Sequence, residues 1–367
     1  MKMCFYIFQT LDIQDYMPVI LESLMRGIQV SIFFFDITTK KRTLAAYDTK
    51  DINDFLINLC QVNGIDTRLI KFNHFTKNSQ KKYMKIYDSE NFDFVITRHK
   101  NQIKYRTWDP IFDKNKVIYF IIKGVQILEN PSSLMNVMRY ENELYFPKNG
   151  TNNSFYFGVL RYGSTDHKNY FSPNTSSFIN NNTKKTCFII ETWPRNREYK
   201  ENGKGILIKV IDALKDLDYN IVYKAREKAT SSDNTYADLV KDKVDLLIEN
   251  DALNYPSSLF YFSKNSDMTI NLDATSSILD SIYLSKMPVV IIHKNLSKKY
   301  RDFFKVCLGK NFQDCDKYVN LYDEKYNEDV KLFLKNATNR SPQLEEDLVE
   351  NFEKFFEKVN EIWNSNQ

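Results

Sequence analysis

Short, nearly continuous apolar runs alternate with amphipathic stretches along the first 120 or so residues. KMCFYIF reads as a strand, and DYMPVILESLMRG carries the helical period, closed by Gly27 at a C′ position. IQVSIFFFD is apolar almost throughout, as a strand covered on both faces would be. DINDFLINLCQVNG reads as a helix capped by Asp51, and DTRLIKF, FDFVIT and KVIYFII as further strands. Strands separated by helical patterns make βαβ units and a mostly parallel sheet.

The pattern breaks at PKNGTNNS, FYFGVL reads as a short strand, and SPNTSSFINNNTKKT is rich in Ser, Thr and Asn, which places a boundary near residues 172–185. Alternation then resumes. TCFIIET, YNIVYK, VDLLIEN, DMTIN and MPVVII read as strands, with helices over GKGILIKVIDALKDLD and NTYADLVKDK. The chain closes on the charged amphipathic stretch SPQLEEDLVENFEKFFEKVNEIW, with Ser341 as cap and Pro342 at the first helical position. The expected fold class is α/β, with two doubly wound, Rossmann-like domains. Residues 1–172 form the acceptor side and 186–340 the nucleotide-donor side, while the helix of 341–367 has an apolar stripe that needs a partner surface and is expected on the first domain. Two such domains joined by a linker resemble the GT-B arrangement, in which ligand binds in the cleft between facing domains beyond the carboxyl ends of the strands.

Composition narrows the function classes. With 43% hydrophobic residues the chain can build real cores. The 51 basic and 47 acidic residues leave a net charge of only +4, which is no footprint of a nucleic-acid binder. The five cysteines are scattered, form no C-x-x-C pair and are odd in number, so neither a zinc site nor a disulfide framework is expected; Cys4, Cys60 and Cys187 sit in apolar runs and read as buried thiols. MKMCFYIFQT lacks a small-residue cleavage site, and no apolar run approaches the roughly 18 residues of a membrane span. The expected location is the cytoplasm, with at most peripheral contact with a membrane.

Three segments carry candidate chemistry, each directly after an expected strand of the second half. Thr192, Trp193 and Arg195 follow TCFII; Lys224 and Arg226 follow or end YNIVY; Thr275, Ser276 and Ser277 follow DMTIN at the start of a helix. A nucleoside diphosphate needs an aromatic face, cations and backbone N–H groups aimed at its phosphates, and these segments offer all three. Each also has a plainer reading: the hydroxyls as a helix cap, Arg226 and Lys228 as a solvated turn beside Glu227, and Trp193 as a packed aromatic. No D-x-D triplet follows a nucleotide-binding strand, so the phosphates are expected to be neutralised by Arg, Lys and helix dipole, with no metal and no cofactor.

The order Thr-Trp-x-Arg, then Lys-x-Arg, then Asp-x-x-Ser-Ser-helix-Pro resembles the C-terminal donor domain of the CDP-glycerol glycerophosphotransferase family over roughly residues 186–310. More loosely it resembles the wider GT-B group, which includes UDP-N-acetylglucosamine 2-epimerases. The resemblance implies that Thr192, Trp193, Arg195, Lys224, Arg226, Ser276 and Ser277 line the donor's nucleotide and pyrophosphate. Arg226 stands where the family has His, and KNKVIYFIIKG ends in Lys123-Gly124 where the family strand ends in His-Gly. A lysine with an ordinary pKa near 10.4 is a poor general base, so Lys123 would need a lowered pKa or would bind the acceptor.

For the acceptor-side base, His99 at the end of DFVITRHK is the best placed of four histidines, ahead of His167, His74 and His293. Asp12 and Asp15, read as lying in a loop after the first strand, are the carboxylate candidates. The resulting expectation is an enzyme that moves a glycosyl or glycerophosphoryl group from a nucleotide-activated donor to a hydroxyl of a glycan, polyol or lipid-linked acceptor. The alternatives are a non-catalytic GT-B-like binding protein and a UDP-sugar epimerase relative.

Overall fold

The structure, a computed structural model, describes residues 1–7, 10–36, 49–76, 80–97, 117–121, 143–148, 151–156, 178–179, 183–191, 197–225, 236–248, 258–272, 277–293, 318–326, 329–340 and 345–365. They fall into two compact units: one within Met1–Lys123, Tyr140–Tyr170 and Glu345–Gln367, the other within Phe171–Leu344.

The first unit is built on a seven-stranded sheet in the order β3-β2-β1-β4-β5-β6-β7. Its strands are β1 (Lys2–Ile7), β2 (Gln29–Asp36), β3 (Ile70–Thr76), β4 (Phe94–Thr97), β5 (Val117–Ile121), β6 (Glu143–Lys148) and β7 (Thr151–Tyr156). The first five run parallel. The last two add an antiparallel hairpin at the edge, through the stretch read from sequence as a break in the pattern. Within PKNGTNNS, Pro147 pairs with Asn152 and Lys148 with Thr151 across the two strands.

Helices α1 (Thr10–Met25), α2 (Thr49–Val62) and α3 (Gln80–Glu90) complete this unit, together with α9 (Glu345–Ser365) at the end of the chain. Gly27 has φ +74° and ends α1, with Gly27 N–H donating to Leu24 and Ile28 N–H to Ser23, which satisfies two terminal carbonyls. Two boundaries differ from the sequence reading. Helix α1 starts at Thr10, so Asp12 and Asp15 lie in its first turns rather than in a loop. Helix α2 starts at Thr49, so Asp51 sits inside its first turn rather than capping it. The core is unusually aromatic: Tyr6, Phe33, Phe35, Phe75, Tyr83 and Phe92 pack with Cys4 and Val95. Arg26, just past α1, pairs with Glu353 of α9 and lies 4.3 Å over the Phe356 ring, while Phe352, Phe355, Phe356 and Val359 are buried.

The second unit has a six-stranded, wholly parallel sheet in the order β10-β9-β8-β11-β12-β13. Its strands are β8 (Thr186–Ile190), β9 (Asn220–Lys224), β10 (Leu246–Ile248), β11 (Met268–Leu272), β12 (Pro288–Ile292) and β13 (Asn320–Asp323). Helices α4 (Arg197–Asp216), α5 (Ala237–Val240), α6 (Ser258–Asn265), α7 (Ser277–Leu284) and α8 (Val330–Asn336) are distributed between and after them. The expectation of doubly wound α/β architecture holds for both sheets, because both run outward from their first strand and reverse once. β13 was not expected: NLYD is short and half polar, with too little apolar periodicity to mark it. Alternate β11 residues Met268, Ile270 and Leu272 join a core with Leu207, Val210 and Leu214 of α4, so Thr269 and Asn271 face the other side of the sheet.

The described cysteines Cys4, Cys60 and Cys187 are free and buried. Burial raises all three thiols, Cys60 to about 11, which keeps them protonated and inert at neutral pH.

Candidate functional site

In a sheet of order 3-2-1-4-5-6 the chain leaves its first strand in one direction and its fourth in the other, opening a crevice at the carboxyl ends of those strands. In the second unit that point lies between β8 and β11. A ligand in the crevice would meet the residues directly past the end of each strand.

After β8 comes Glu191, which is buried. Its N–H donates to the Lys224 carbonyl (3.1 Å), and its carboxylate accepts from Tyr236 N–H (3.0 Å), joining the ends of β8 and β9 to the start of α5. Lys224 is the last residue of β9 and is only 8% exposed. It sits beside Ile190 in register, on the same face as Val222 and the rings of α6. An ammonium so enclosed is worth much more to an anion than one in water, because the local dielectric is low.

After β11 comes α7, held by a polar lock. Asn271, fully buried, accepts from the Ser277 hydroxyl (2.9 Å) and donates to the Ser281 hydroxyl (2.7 Å), which in turn donates to the Ser277 carbonyl (3.2 Å). The Ser277 proton is therefore turned toward the sheet, and the pair fixes where the free N–H groups of α7 begin. Asp280 lies in that first turn and is buried.

After β12 and β13 come His293 and Glu324. His293 Nε2 stands 3.4 Å from the Glu324 carboxylate, whose other oxygen is 3.7 Å from Lys209 of α4; Glu324 N–H donates to the Ile292 carbonyl (3.0 Å). Sequence reasoning ranked His293 behind His99. The usable signal was its place one residue past PVVII, at the same sheet edge as the favoured segments.

Of the sequence candidates, the structure brings Lys224 and Ser277 to this edge. Asp15 lies in α1 of the first unit. His99, Lys123, Thr192, Trp193, Arg195, Arg226, Thr275 and Ser276 lie outside the described residues. No group of acidic, histidine and cysteine side chains suited to a metal occurs among the described residues, and no described helix is long and apolar enough to cross a membrane.

Comparison with solved structures supplies the fold. UDP-GlcNAc 2-epimerase from Methanocaldococcus jannaschii superposes with a TM-score of 0.54 at 13% identity, the match covering 98% of this chain and 99% of that one. The same organism's enzyme in complex with UDP-GlcNAc and UDP gives 0.52, again at 13% identity and with the same coverage. The fold is that of the GT-B proteins. At this identity the likeness is one of fold. No protein-family model matches the chain, and no curated protein does.

Proposed function

We propose that the chain is a nucleotide-sugar-type transferase of GT-B fold. Its second unit would hold a nucleoside-diphosphate donor at the β8/β11 edge and pass a glycosyl or glycerophosphoryl group to an acceptor hydroxyl. The observation that carries this reading is that, along the carboxyl edge of a wholly parallel sheet, a buried lysine ends β9 beside β8 and a helix start locked by a buried asparagine follows β11, across the switch point. Lys224 and the N–H groups of α7 supply positive potential where a diphosphate's charge would sit. Thr192, Trp193, Arg195, Arg226, Thr275 and Ser276 are proposed to complete the donor's surroundings, and His99, Asp15 or Lys123 to supply the acceptor's base.

In glycosyl transfer the acceptor oxygen bonds to the anomeric carbon, the bond from that carbon to the diphosphate breaks, and the acceptor proton passes to the base. The nucleoside diphosphate leaves with the bonding pair, and the cations stabilise the charge it gains. In glycerophosphoryl transfer the oxygen attacks the distal phosphorus instead, and a nucleoside monophosphate leaves.

A second reading, an epimerase acting on a UDP-sugar, is favoured by one observation: two structures that superpose with TM-scores of 0.54 and 0.52 are of UDP-GlcNAc 2-epimerase. Incubation with UDP-GlcNAc and with UDP-, CDP- and GDP-linked donors, with and without polyol and glycan acceptors, separates the readings. Acceptor-dependent release of nucleotide supports transfer, and inversion at the sugar's C2 without any acceptor supports epimerisation. Neither outcome with any donor contradicts both.

A further inference from the structure

Beneath the locked start of α7 the same polar stripe continues, but its chemistry changes. Ser277, Ser281 and Ser285 lie four apart, one helical turn each, and Ser285 N–H donates to the Ser281 carbonyl (2.9 Å), so the stripe runs on just past the end of α7. Opposite it on β11 stand Asn271 and Thr269, two residues apart on one face. Strand and helix run in opposite directions. Two residues back along β11, about 6.6 Å, matches one turn forward along α7, about 5.4 Å, so Thr269 stands level with Ser285. The backbone agrees: Thr269 N–H donates to the carbonyl of Met287, two residues beyond Ser285.

At the upper level every hydroxyl is satisfied through Asn271. At the lower level the Thr269 and Ser285 side chains are both fully buried, and neither hydroxyl has a hydrogen-bond partner among the described residues. The same is true of Ser263, in the last turn of α6, and of Ser266, just before β11; α6 packs on both α7 and β11. Four buried hydroxyls without partners among the described residues would be a heavy cost if left dry, since each such group forfeits its hydration.

We propose that this junction is an internal hydration site, in which at least one ordered water bridges the Thr269 and Ser285 hydroxyls. It lies at the amino end of the sheet, away from the donor edge, and stands independently of the proposed function. Water is the occupant the chemistry selects. The groups are neutral, each can donate or accept, and all four are buried, which suits a molecule making two to four short hydrogen bonds.

The test is the sign of a stability change together with a direct view of the site. Thr269→Val keeps the side chain's shape and removes only its hydroxyl. If water is bound there, the variant loses a bridging partner and melts at a lower temperature than wild type. If the hydroxyl is buried dry, the variant melts at the same temperature or higher. A crystal structure of the unaltered chain at better than about 1.5 Å resolution should show water within hydrogen-bond distance (~3 Å) of Thr269 Oγ1 and Ser285 Oγ. This also decides the matter if the variant does not fold. A folded Thr269→Val with unchanged or raised melting temperature, or a wild-type junction without water density, overturns the proposal.

Discussion

Asn271 of β11 and Ser281 of α7 are joined by a 2.7 Å hydrogen bond in the interior of the second unit, and the same asparagine accepts from Ser277 one turn above. One side chain thus sets both the height and the rotation of the helix whose start faces the carboxyl edge. The substitution Asn271→Leu removes the acceptor of the Ser277 hydroxyl and the donor to the Ser281 hydroxyl, a cost of about 1–3 kcal/mol for two hydrogen bonds at least partly buried. Denaturant unfolding of the variant should show that loss. An Asn271→Leu variant as stable as wild type would remove Asn271 as the element that holds α7.

Lys224 offers a second prediction, resting on the proposed donor site. Lys224→Met retains the buried stem and deletes the ammonium. If the ammonium faces the donor's phosphates, affinity for a nucleoside diphosphate falls by about 1.5–3 kcal/mol, the range for hydrogen bonds to charged groups, or roughly ten- to hundredfold. Affinity for the bare nucleoside should not change. Equal losses for both ligands in calorimetric titrations would mean that Lys224 acts through the fold alone.

Arg26 and Glu353 tie the closing helix to the end of α1, and the tie is pH-dependent. Burial alone would lower the Arg26 pKa, but its hydrogen bonds to Glu353 and Glu22 outweigh that and raise it. In return the hydrogen bond from Arg26 lowers Glu353 below its ordinary 4.5. A carboxylate with a depressed folded pKa contributes stability above its unfolded value and loses it as pH falls through the folded one. Glu353 is 54% exposed, so screening limits the pair to about 1 kcal/mol or less. The urea midpoints of wild type and Glu353→Gln should therefore differ at pH 7 and converge below about pH 4. A gap that stays constant to pH 3 would contradict the pairing.

Tyr6 and Tyr83 share a 2.7 Å hydrogen bond between their hydroxyls inside the aromatic core. Burial is the largest reason that both pKa values rise above the ordinary 10.0. For an acid raised on folding, stability is intact below the unfolded value and declines as pH climbs beyond it. Both phenols should therefore stay silent in an ultraviolet titration through pH 11 and ionise only as the first unit unfolds. Tyr83→Phe should cost about 0.5–1.5 kcal/mol, the net worth of one intramolecular hydrogen bond, because it removes the Tyr6–Tyr83 pair. Reversible ionisation of either phenol near pH 10 in the folded chain would refute this account of the core.

The elements legible in the sequence are those whose burial is unambiguous. IQVSIFFFD, TCFII and PVVII are apolar over most of their length because both faces are covered, and the parallel α/β sheets are read from such runs alternating with helical patterns. The strands missed or misplaced lie toward the sheet edges. NLYD and TNNSFY each have one open side and therefore mixed composition, so β7 reads as a strand only from Phe155 onward, in FYFGVL, and ELYFPK beside it does not read as one. At the site, Lys224 could be placed from the strand it ends, whereas His293 and Glu324 could not be paired. They lie 31 residues apart, and only the adjacency of β12 and β13 joins them. The direction of the Ser277 hydroxyl was equally hidden, since it depends on Asn271 six residues earlier and on the opposite element.

The most direct test of the donor site is a thermal-shift panel on the full chain with UDP, CDP, GDP and UDP-GlcNAc, each set against its bare nucleoside. A ligand held at 100 times its Kd stabilises the native state by about 2.7 kcal/mol, enough to move the midpoint visibly. At least one nucleoside diphosphate or its conjugate should raise the midpoint at concentrations where the matching nucleoside does not, because the proposed site grips phosphate. No shift with any of them, or equal shifts from diphosphate and nucleoside, would contradict a phosphate-binding edge on the second sheet.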